Sequence, residues 1–380
     1  MYNTSIGKFC AANEHWQELL IKEPYCLKIK EDGEFIIFNY NMIESDFSNP
    51  IVREARGIIF KKDHWESPVC WAFNKFGNYG EHYVPDINWE TAFVTEKIDG
   101  SLIKLWWDWN GGWHISTNGT INAFDATIQD VKVNNFGDYF CDALQERFNL
   151  SFEEFVEVLD NDLTYMFELV GPYNRVVVPY TEPEIYFLGA RNKFTGAEFN
   201  CAADVVPADI KRPKQWPLTS LEECIKITET FNWDQEGFVV SDANFNRVKI
   251  KSPAYVLAHY ARNNNVITRK HLIKVILMNE VDEFLCYASE YEEELLHVQK
   301  LMNAYHSIGE TLATACRKAS ILSRPIYADI VKTFPEVFHD LLFKNYDKDC
   351  YAKEYTYGWS EEKWNRYLTE VEKLVQNIMG

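Results

Sequence analysis

The sequence predicts an α+β protein, with an antiparallel-sheet domain over residues 1–251 followed by an all-helical domain over residues 252–380. In the first part, short β-branched and aromatic segments alternate with turns containing glycine, asparagine or proline. After Lys251 the apolar residues change to helical spacing. The length of 380 residues also exceeds what one hydrophobic core usually holds, which favours two domains.

The strand pattern begins with a hairpin. Residues 26–30 and 35–40 are extended segments, and an Asp-Gly pair between them supplies the turn. Two helical segments interrupt the pattern at residues 126–147 and 151–159. The other predicted strands lie between turn residues and are Arg56–Phe60, Val69–Phe73, Leu102–Trp107, Trp113–Ser116, Tyr165–Val170, Arg175–Val178, Ile185–Ala190, Gly237–Ser241 and Val248–Lys251.

The helical region is predicted to start at Ser252-Pro253, because serine caps a helix and proline is tolerated at its first position. Apolar side chains then recur mostly at helical spacing through residues 281–312 and 364–378. Ser360 and the two glutamates that follow it are typical of a helix start. These apolar stripes are interpreted as core packing, and the domain boundary is placed near residue 252.

Cysteine usage and the amino terminus predict where the protein works. The nine cysteines include no Cys-x-x-Cys pair, which argues against a zinc ribbon or a disulfide framework and for a reducing compartment. The first residues lack a basic segment followed by an apolar stretch, and no apolar run approaches the length of a membrane span. The sequence therefore predicts a soluble, cytoplasmic monomer without a membrane partner.

The net charge of −19 is unevenly distributed. Residues 247–274 contain no acidic residue and seven basic ones, namely Arg247, Lys249, Lys251, Arg262, Arg269, Lys270 and Lys274. A local cationic segment on an acidic protein favours selective binding of a phosphate-bearing ligand over general polyanion binding. The alternative is a solvated helix face that binds no partner.

Residues 95–101, Thr-Glu-Lys-Ile-Asp-Gly-Ser, contain the candidate nucleophile Lys97. A lysine amine attacks only when it is deprotonated, and a dry, cation-lined pocket favours that form. Asp99 points to the same side of an extended segment as Lys97. Gly100 permits the backbone to approach a ligand closely or to adopt a positive φ, and Ser101 can hydrogen-bond at the turn. The alternative is an ordinary Asp-Gly turn with an exposed lysine.

Four further charged positions follow along the chain, namely Glu168, Glu236, Lys249 and Lys251. Lys249 and Lys251 alternate with apolar residues, so both ammonium groups face one side of a strand. They come about a dozen residues after Glu236. The segment from Glu236 to Lys251 could therefore place cations on phosphates, and it could place a carboxylate beside the nucleophile or a metal. Glu168 lies in a strongly apolar strand, where it is a candidate ligand for a ribose hydroxyl or a divalent metal. Solvated strand faces are the alternative in both cases.

The order of these segments resembles the covalent nucleotidyltransferases, the ligases and capping enzymes that carry a nucleotide on lysine. The stretch Phe-Glu-Leu-Val-Gly-Pro-Tyr-Asn-Arg over residues 167–175 resembles the phage RNA ligase 1 family, the tRNA-repairing ATP-dependent ligases of T-even bacteriophages. Roughly residues 30–260 match in order and spacing. The other matching segments are residues 54–60, 74–76, 96–101, 236–237 and 249–255.

The resemblance implies an ATP-dependent RNA ligase that uses Mg²⁺ or Mn²⁺ in tRNA or RNA repair, in the host cytoplasm if a phage encodes it. Lys97 would attack the α-phosphate of ATP and hold AMP, which then passes to an RNA 5′-phosphate before a 3′-hydroxyl seals the strand. Glu168 would contact the ribose, Glu236 would act near the lysine, and both would bind the metal. The implied phosphate-binding residues are Arg56, Lys75, Lys249 and Lys251, and the other implied nucleotide-binding residues are Phe76, Glu96, Asp99, Gly100, Ser101 and Asn118.

One position departs from the family pattern. Asn118 precedes a glycine where the family member used for comparison carries a second lysine, so one phosphate contact is lost or supplied elsewhere. Two other classes of protein stay open. A DNA ligase or capping enzyme of the same superfamily typically adds an oligonucleotide-binding β-barrel after the last lysine motif, whereas this chain becomes helical there. A catalytically inactive nucleotide- or RNA-binding module would retain the fold without the lysyl chemistry.

Overall fold

The structure is a computed structural model that describes residues 3–128, 133–261, 267–317, 323–347 and 350–379. The chain divides into two compact units, Met1–His259 and Tyr260–Gly380. The first unit combines antiparallel sheets with helices. The described residues of the second unit form helices and no strand.

Twelve strands lie in the described residues of the first unit. They are β1 Lys28–Asp32, β2 Phe35–Asn39, β3 Arg56–Lys61, β4 Phe93–Glu96, β5 Ser101–Trp107, β6 Trp113–Ser116, β7 Leu163–Val170, β8 Glu184–Asn192, β9 Glu198–Asn200, β10 Gln215–Trp216, β11 Gly237–Ser241 and β12 Arg247–Lys251. They form three sheets in the orders β1-β2-β3, β10-β4-β11-β12 and β6-β5-β7-β8-β9, and every pairing between neighbours is antiparallel.

Among the helices, α7 starts at Pro253, where the sequence predicts the helical region to begin. Those before it are α1 Ser5–Ala12, α2 Trp16–Leu20, α3 Pro50–Glu54, α4 Phe136–Phe148, α5 Phe152–Val156 and α6 Leu221–Thr228. The later ones are α7 Pro253–Ala261, α8 Arg269–Leu277, α9 Val281–Tyr287, α10 Glu292–Arg317, α11 Arg324–Val331, α12 His339–Asp347, α13 Ala352–Thr356 and α14 Glu361–Met379.

The five-stranded sheet uses its two faces differently. Ile103 and Leu105 of β5 are fully buried against α4 and α5, where they join Phe140 and Phe155 in the largest apolar core of this unit. Alternate residues of a strand point to opposite faces of its sheet. Leu102 and the other even-numbered residues of β5 therefore face away from α4 and α5. That second face carries the candidate site.

Two predicted strands are wrong. Residues 69–73 make only an isolated bridge between Cys70 and Ile59, and the Trp71 amide donates to the hydroxyl of Thr164. Residues 175–178 are also not a strand, because the amides of Val177 and Val178 donate to the carboxylate of Asp99. In both segments, backbone amides that could pair with a neighbouring strand instead donate hydrogen bonds to side chains distant in sequence.

The predicted hairpin is confirmed, with β1 and β2 paired from Lys28 opposite Asn39 to Asp32 opposite Phe35. The first long helical segment is shorter than predicted, since α4 begins at Phe136 and is capped by Asn135. No helix among the described residues is both long and apolar enough to cross a membrane.

Candidate active site

Most of the candidate residues meet in one cavity of about 270 Å³ in the first unit, here called the Lys97 pocket. The predicted residues that line it are Arg56, Phe76, Glu96, Lys97, Gly100, Asn118, Glu168 and Lys249. Phe73, Phe93, Leu188 and Val239 add apolar surface. Four basic residues and two carboxylates lie in the lining, so the pocket combines a net positive charge with an apolar wall. This combination suits a phosphorylated ligand with a flat, apolar part.

Lys97 follows β4 and is held against the end of β11. Its amide donates to the carbonyl of Gly237 at 2.8 Å, and its Nζ lies 2.8 Å from Oε2 of the buried Glu236. Lys251, paired with Gly237 across the β11–β12 ladder, places its Nζ 4.0 Å from the other oxygen of Glu236. Glu236 therefore lies between two lysines. Burial raises the pKa of Glu236, and the charges of Lys97 and Lys251 oppose that rise.

Three cations surround the ring of Phe76. The Cζ of Arg56 and the Nζ of Lys249 each lie 5.2 Å from its centroid, and the Cζ of Arg247 lies 5.6 Å from it. Contacts of this length with a ring face are favourable and hold long side chains in place. Phe76 thus gathers positive charge at the wall of the pocket. Arg56 and Lys249, two of the residues that the family resemblance assigns to phosphate binding, therefore lie close together.

Two buried polar atoms in the pocket wall lack hydrogen-bond partners among the described residues. They are Nη1 of Arg56 and Oδ1 of Asn118. A buried donor or acceptor without a partner costs free energy, so such groups mark positions where a ligand can bind. The neutral Asn118 consequently offers an acceptor at a position where the family pattern has a cation.

Glu168 lies on β7, with its half-buried side chain at the pocket wall. Its carboxylate accepts no hydrogen bond from the part of the chain that the structure describes. Burial raises the pKa of Glu168 to about 7, the charge of Lys97 lowers it, and the nearby Glu236 raises it further. The arrangement fits a group that gains its hydrogen bonds or a metal ion when a ligand enters.

Gly100 brings the lysine-bearing turn close to β7. A β-carbon at this position would lie 2.4 Å from the Leu169 carbonyl oxygen and 3.1 Å from Cγ of Glu168. Real β-carbons essentially never approach backbone oxygen so closely. The sequence predicts that the backbone at Gly100 approaches a ligand or adopts a positive φ, whereas the structure gives Gly100 no positive φ and packs it against the strand that carries Glu168.

Asp99 and Ser101 stabilise the turn that follows Lys97 through hydrogen bonds outside the Lys97 pocket. The carboxylate of the buried Asp99 accepts hydrogen bonds from the amides of Val177 and Val178 and from the Tyr255 hydroxyl, the last at 2.7 Å. The hydroxyl of Ser101 accepts a hydrogen bond from the Asn174 side chain. Neither residue lines the Lys97 pocket. Both were predicted to contact nucleotide, and their present contacts are instead with the protein.

Lys75 lies apart from the other predicted phosphate ligands. It lines a second cavity of about 380 Å³, which shares Phe76 and Arg247 with the Lys97 pocket. Its Nζ lies 5.4 Å from the ring centroid of Tyr40 and 5.2 Å from that of Phe47. Within the described ranges no carboxylate lies within ion-pair distance of this ammonium group. Lys75 therefore adjoins the site without entering the pocket that Lys97 lines.

Several lining residues are not among the site residues that the sequence predicts. Arg247 is one of them, although it belongs to the basic segment and alternates with Lys249 and Lys251 on one strand face. That alternation was the signal that could have identified it. Leu188 and Val239 line the pocket from β8 and β11, and apolar residues in apolar strands carry no such signal.

The pocket is only partly equipped to hold a metal ion by itself. Within the described residues, no three His, Cys, Asp or Glu side chains converge as a metal-binding group. The two predicted ligands, Glu168 and Glu236, influence one another, but Glu236 is already paired with Lys97. Mg²⁺ is commonly held by one or two carboxylates together with substrate phosphates, and Glu168 fits that role.

The raised pKa of Glu168 predicts how stability depends on pH. The folded protein holds this proton up to about pH 7, whereas the unfolded chain loses it near the ordinary value of 4.5. The folded state therefore binds more protons in this window, and its stability falls as pH rises from 4.5 to 7. We expect Glu168→Gln to remove at most about 3 kcal/mol of that fall, measured as the free energy of unfolding in urea at several pH values. An equally steep fall in both proteins would contradict the assignment.

A lysine paired to a carboxylate among further cations, in a pocket lined by antiparallel strands, is the arrangement expected of the covalent nucleotidyltransferase class. The model of a family described as RNA ligase matches residues 54–255, more than half of the chain. The chain therefore belongs to this family of ligases, the phage RNA ligase 1 family.

Individual relatives agree with this assignment. A protein of Autographa californica nuclear polyhedrosis virus, whose name combines polynucleotide kinase and RNA ligase, is 30% identical over 329 residues, which cover 82% of this chain and 46% of the relative. The chain thus spans about half the length of that relative. An RNA ligase of Rhodothermus phage RM378 is 24% identical, covering 75% of this chain and 76% of the relative. The structure of an archaeal ATP-dependent RNA ligase gives a TM-score of 0.45 at 14% identity, covering 74% of this chain and 73% of that one.

Proposed function

We propose that this chain is an ATP-dependent RNA ligase that joins 5′-phosphate and 3′-hydroxyl RNA ends through a lysyl-AMP intermediate. The observation that carries the proposal is Lys97 itself. Its amine lies 2.8 Å from a buried carboxylate and lines a pocket whose other walls supply cations and apolar surface. Such a pocket can hold a nucleotide with its α-phosphate at the amine.

In the first step the Lys97 amine attacks the α-phosphorus of ATP, and the bond from that phosphorus to pyrophosphate breaks. The ammonium group must first give up a proton, and Glu236 is the carboxylate placed to accept it. Burial raises the pKa of Glu236, which makes it a better proton acceptor than an exposed glutamate. Arg56, Lys249 and Lys251 stabilise the negative charge that develops on the phosphate oxygens.

Two further transfers complete the reaction. An oxygen of an RNA 5′-phosphate attacks the adenylyl phosphorus, the phosphorus–nitrogen bond to Lys97 breaks, and the amine regains a proton. A 3′-hydroxyl then attacks the 5′-phosphorus and releases AMP. Both displacements need the attacking and leaving groups to be held in line while charge is stabilised, so they call on the same cations.

A divalent metal ion fits this site through Glu168 and the phosphates of the substrate. When bound, it would neutralise triphosphate charge and polarise the reacting phosphate. Glu236 would be a second ligand only in the state in which it is not paired with the Lys97 ammonium. The family resemblance implies that this metal is Mg²⁺ or Mn²⁺.

We assign nucleotide transfer to residues 1–251 and choice of the RNA substrate, in tRNA or RNA repair, to residues 252–380. The basic run supports the second assignment only in part. Arg269 donates hydrogen bonds to Glu372, Thr369 and Asn365, so its charge is used within the second unit. Lys270 is exposed on the same helix, whereas Arg262 lies outside the described residues.

Neutralising two lysines of α8 tests the RNA-binding role. We expect Lys270→Gln together with Lys274→Gln to weaken RNA binding and to reduce the slope of log K against log salt by about 0.7 for each lost phosphate contact. Binding would be measured by fluorescence anisotropy over a series of salt concentrations. Lys332→Gln with Lys373→Gln is the matched control, since these exposed lysines each pair with an acidic residue one turn away. An unchanged slope in the α8 variant would remove this helix from the RNA interface.

The substrate assignment is tested by incubating the protein with ATP and matched RNA and DNA oligonucleotides, single-stranded or nicked, that carry 5′-phosphates. We expect sealed RNA and an AMP-capped RNA intermediate. Preferential sealing of nicked DNA would indicate a DNA ligase. In a parallel incubation with GTP and RNA that carries a 5′-diphosphate, transfer of a guanylyl group to that end would indicate a capping enzyme. Binding of ATP or RNA without a covalent product under several metals would indicate an inactive binding module.

A further inference from the structure

Lys104 is a fully buried lysine on the sheet face that carries the pocket. It lies on β5 with 0% of its surface exposed, two residues after the pocket-lining Leu102 and on the same side of the strand. Its cross-strand partners are Ser116 on β6 and Met166 on β7. It does not line the Lys97 pocket, and it is absent from the matched segments on which the family resemblance rests.

The amine of Lys104 reaches the beginning of β3. Its Nζ donates a hydrogen bond to the carbonyl oxygen of Gly57. Gly57 has a φ of +71°, and a β-carbon there would lie 2.6 Å from the Lys104 Nζ and 2.7 Å from the Asn118 carbonyl oxygen. Three segments of the chain therefore cross within a few ångströms of one another. Only glycine fits at this crossing, and the hydrogen bond from the Lys104 amine joins β5 to the beginning of β3.

No carboxylate pairs with Lys104 in the described residues. Burial lowers the pKa of this amine, Cys70 raises it, and the guanidinium of Arg56 lowers it. Burying a lysine against a single carbonyl costs free energy that an apolar side chain of similar size would not. The amine therefore contributes little net stability. Its hydrogen bond instead fixes the positions of the residues around Gly57.

Those residues are Arg56, which precedes Gly57, and Asn118, which crosses it. Each contributes a buried polar atom without a partner to the pocket wall, Nη1 and Oδ1 respectively. We propose that Lys104 is a positioning residue for the nucleotide site, which holds the Gly57 crossing so that Arg56 and Asn118 keep these two groups available to bound ATP. The inference rests on the proposed function and adds a residue that acts through Arg56 and Asn118.

The competing explanation is that the Lys104 amine only satisfies a buried carbonyl. The chain offers a matched control for that role in Lys193, which is 1% exposed and donates from Nζ to the Trp107 carbonyl oxygen at 2.8 Å. Lys193 lies outside the Lys97 pocket. Lys104→Met and Lys193→Met thus remove the same kind of hydrogen bond, and only one of them lies behind the nucleotide site.

The test measures the dissociation constant of ATP by calorimetry, the rate of enzyme–AMP formation against ATP concentration, and the thermal unfolding midpoint. We expect both variants to change the unfolding midpoint by similar and small amounts, but only Lys104→Met to weaken ATP binding and raise the KM for ATP, each by about tenfold. If Lys104→Met does not fold at the assay temperature, Lys104→Gln, which retains an N–H donor, is compared with Lys193→Gln.

A mutant cycle shows whether Lys104 acts through Arg56 and Asn118. In a background that carries both Arg56→Ala and Asn118→Ala, we expect Lys104→Met to change ATP binding by less than about twofold, because both groups that it positions are already gone. A full additional tenfold loss would overturn the inference, as would equal ATP affinity in Lys104→Met and Lys193→Met. Wild-type protein that binds ATP without forming an adduct would contradict the proposed function instead, and the binding data would still decide the role of Lys104.

Discussion

Lys97→Ala is expected to form no enzyme–AMP adduct, because it lacks the amine that attacks the α-phosphate. The substitution also breaks the ion pair with Glu236, so some loss of stability accompanies it, up to about 3 kcal/mol for a buried partner left unpaired. Glu236 can limit that loss by taking a proton, since burial already raises its pKa. Adduct formation is measured with ATP labelled on the α-phosphate, and folding is followed by circular dichroism.

Two controls separate nucleophilicity from charge. Lys97→Arg keeps a positive charge beside Glu236 but cannot supply a neutral amine at physiological pH, so it should be as inactive as the alanine variant. Lys28→Ala removes an exposed lysine of β1 and should leave adduct formation unchanged. Adduct formation by either Lys97 variant would show that another residue is the nucleophile.

Lys249→Met and Lys251→Met are expected to lower the rate of adduct formation by about 100-fold or more each, because their charges stabilise the transferring phosphate. Lys249 lies against Phe76 beside Arg56, whereas Lys251 lies near Glu236 at the nucleophile. Single-turnover rates with saturating ATP isolate this effect from substrate affinity.

Stability distinguishes the two explanations for these lysines. If Lys249 and Lys251 act on the transferring phosphate, each substitution should raise the activation free energy of adduct formation far more than it lowers the free energy of unfolding. Lys61→Met is the matched control, since this β3 lysine pairs with the exposed Glu34 at 2.7 Å. Wild-type rates in both β12 variants would make that strand a solvated face without a role in the reaction.

The parts of this structure that could be predicted depend on local signals. The β1–β2 hairpin follows from its Asp-Gly turn, and α7 begins at the predicted proline. The alternation of Lys249 and Lys251 places both on one strand face, since a strand repeats every two residues. Each of these features is determined by residues adjacent in the chain, so it can be predicted from the local sequence alone.

The parts that could not be predicted depend on distant partners. Residues 175–178 read as a strand, yet two of their amides bind Asp99, which lies 78 and 79 residues earlier. Asp99 itself was expected to contact nucleotide, and its carboxylate is occupied by those amides and by Tyr255. Nothing in the local sequence indicates these pairings.

Lys104 illustrates the same limit within a correctly predicted strand. A lysine between Ile103 and Leu105 reads as the solvent-facing residue of an alternating strand. It is instead fully buried, because Gly57, 47 residues earlier, supplies an acceptor and leaves room for the amine. Burial of a charged group is decided by what packs over it, which the alternation of one strand does not reveal.

The most direct test of the lysyl-AMP mechanism is mass spectrometry of the intact protein after incubation with ATP and Mg²⁺, followed by mapping of the modified peptide. The mechanism predicts a mass increase of one AMP, located on Lys97 and lost when 5′-phosphorylated RNA is added. An AMP group on any other residue, or no mass increase with either Mg²⁺ or Mn²⁺, would contradict it.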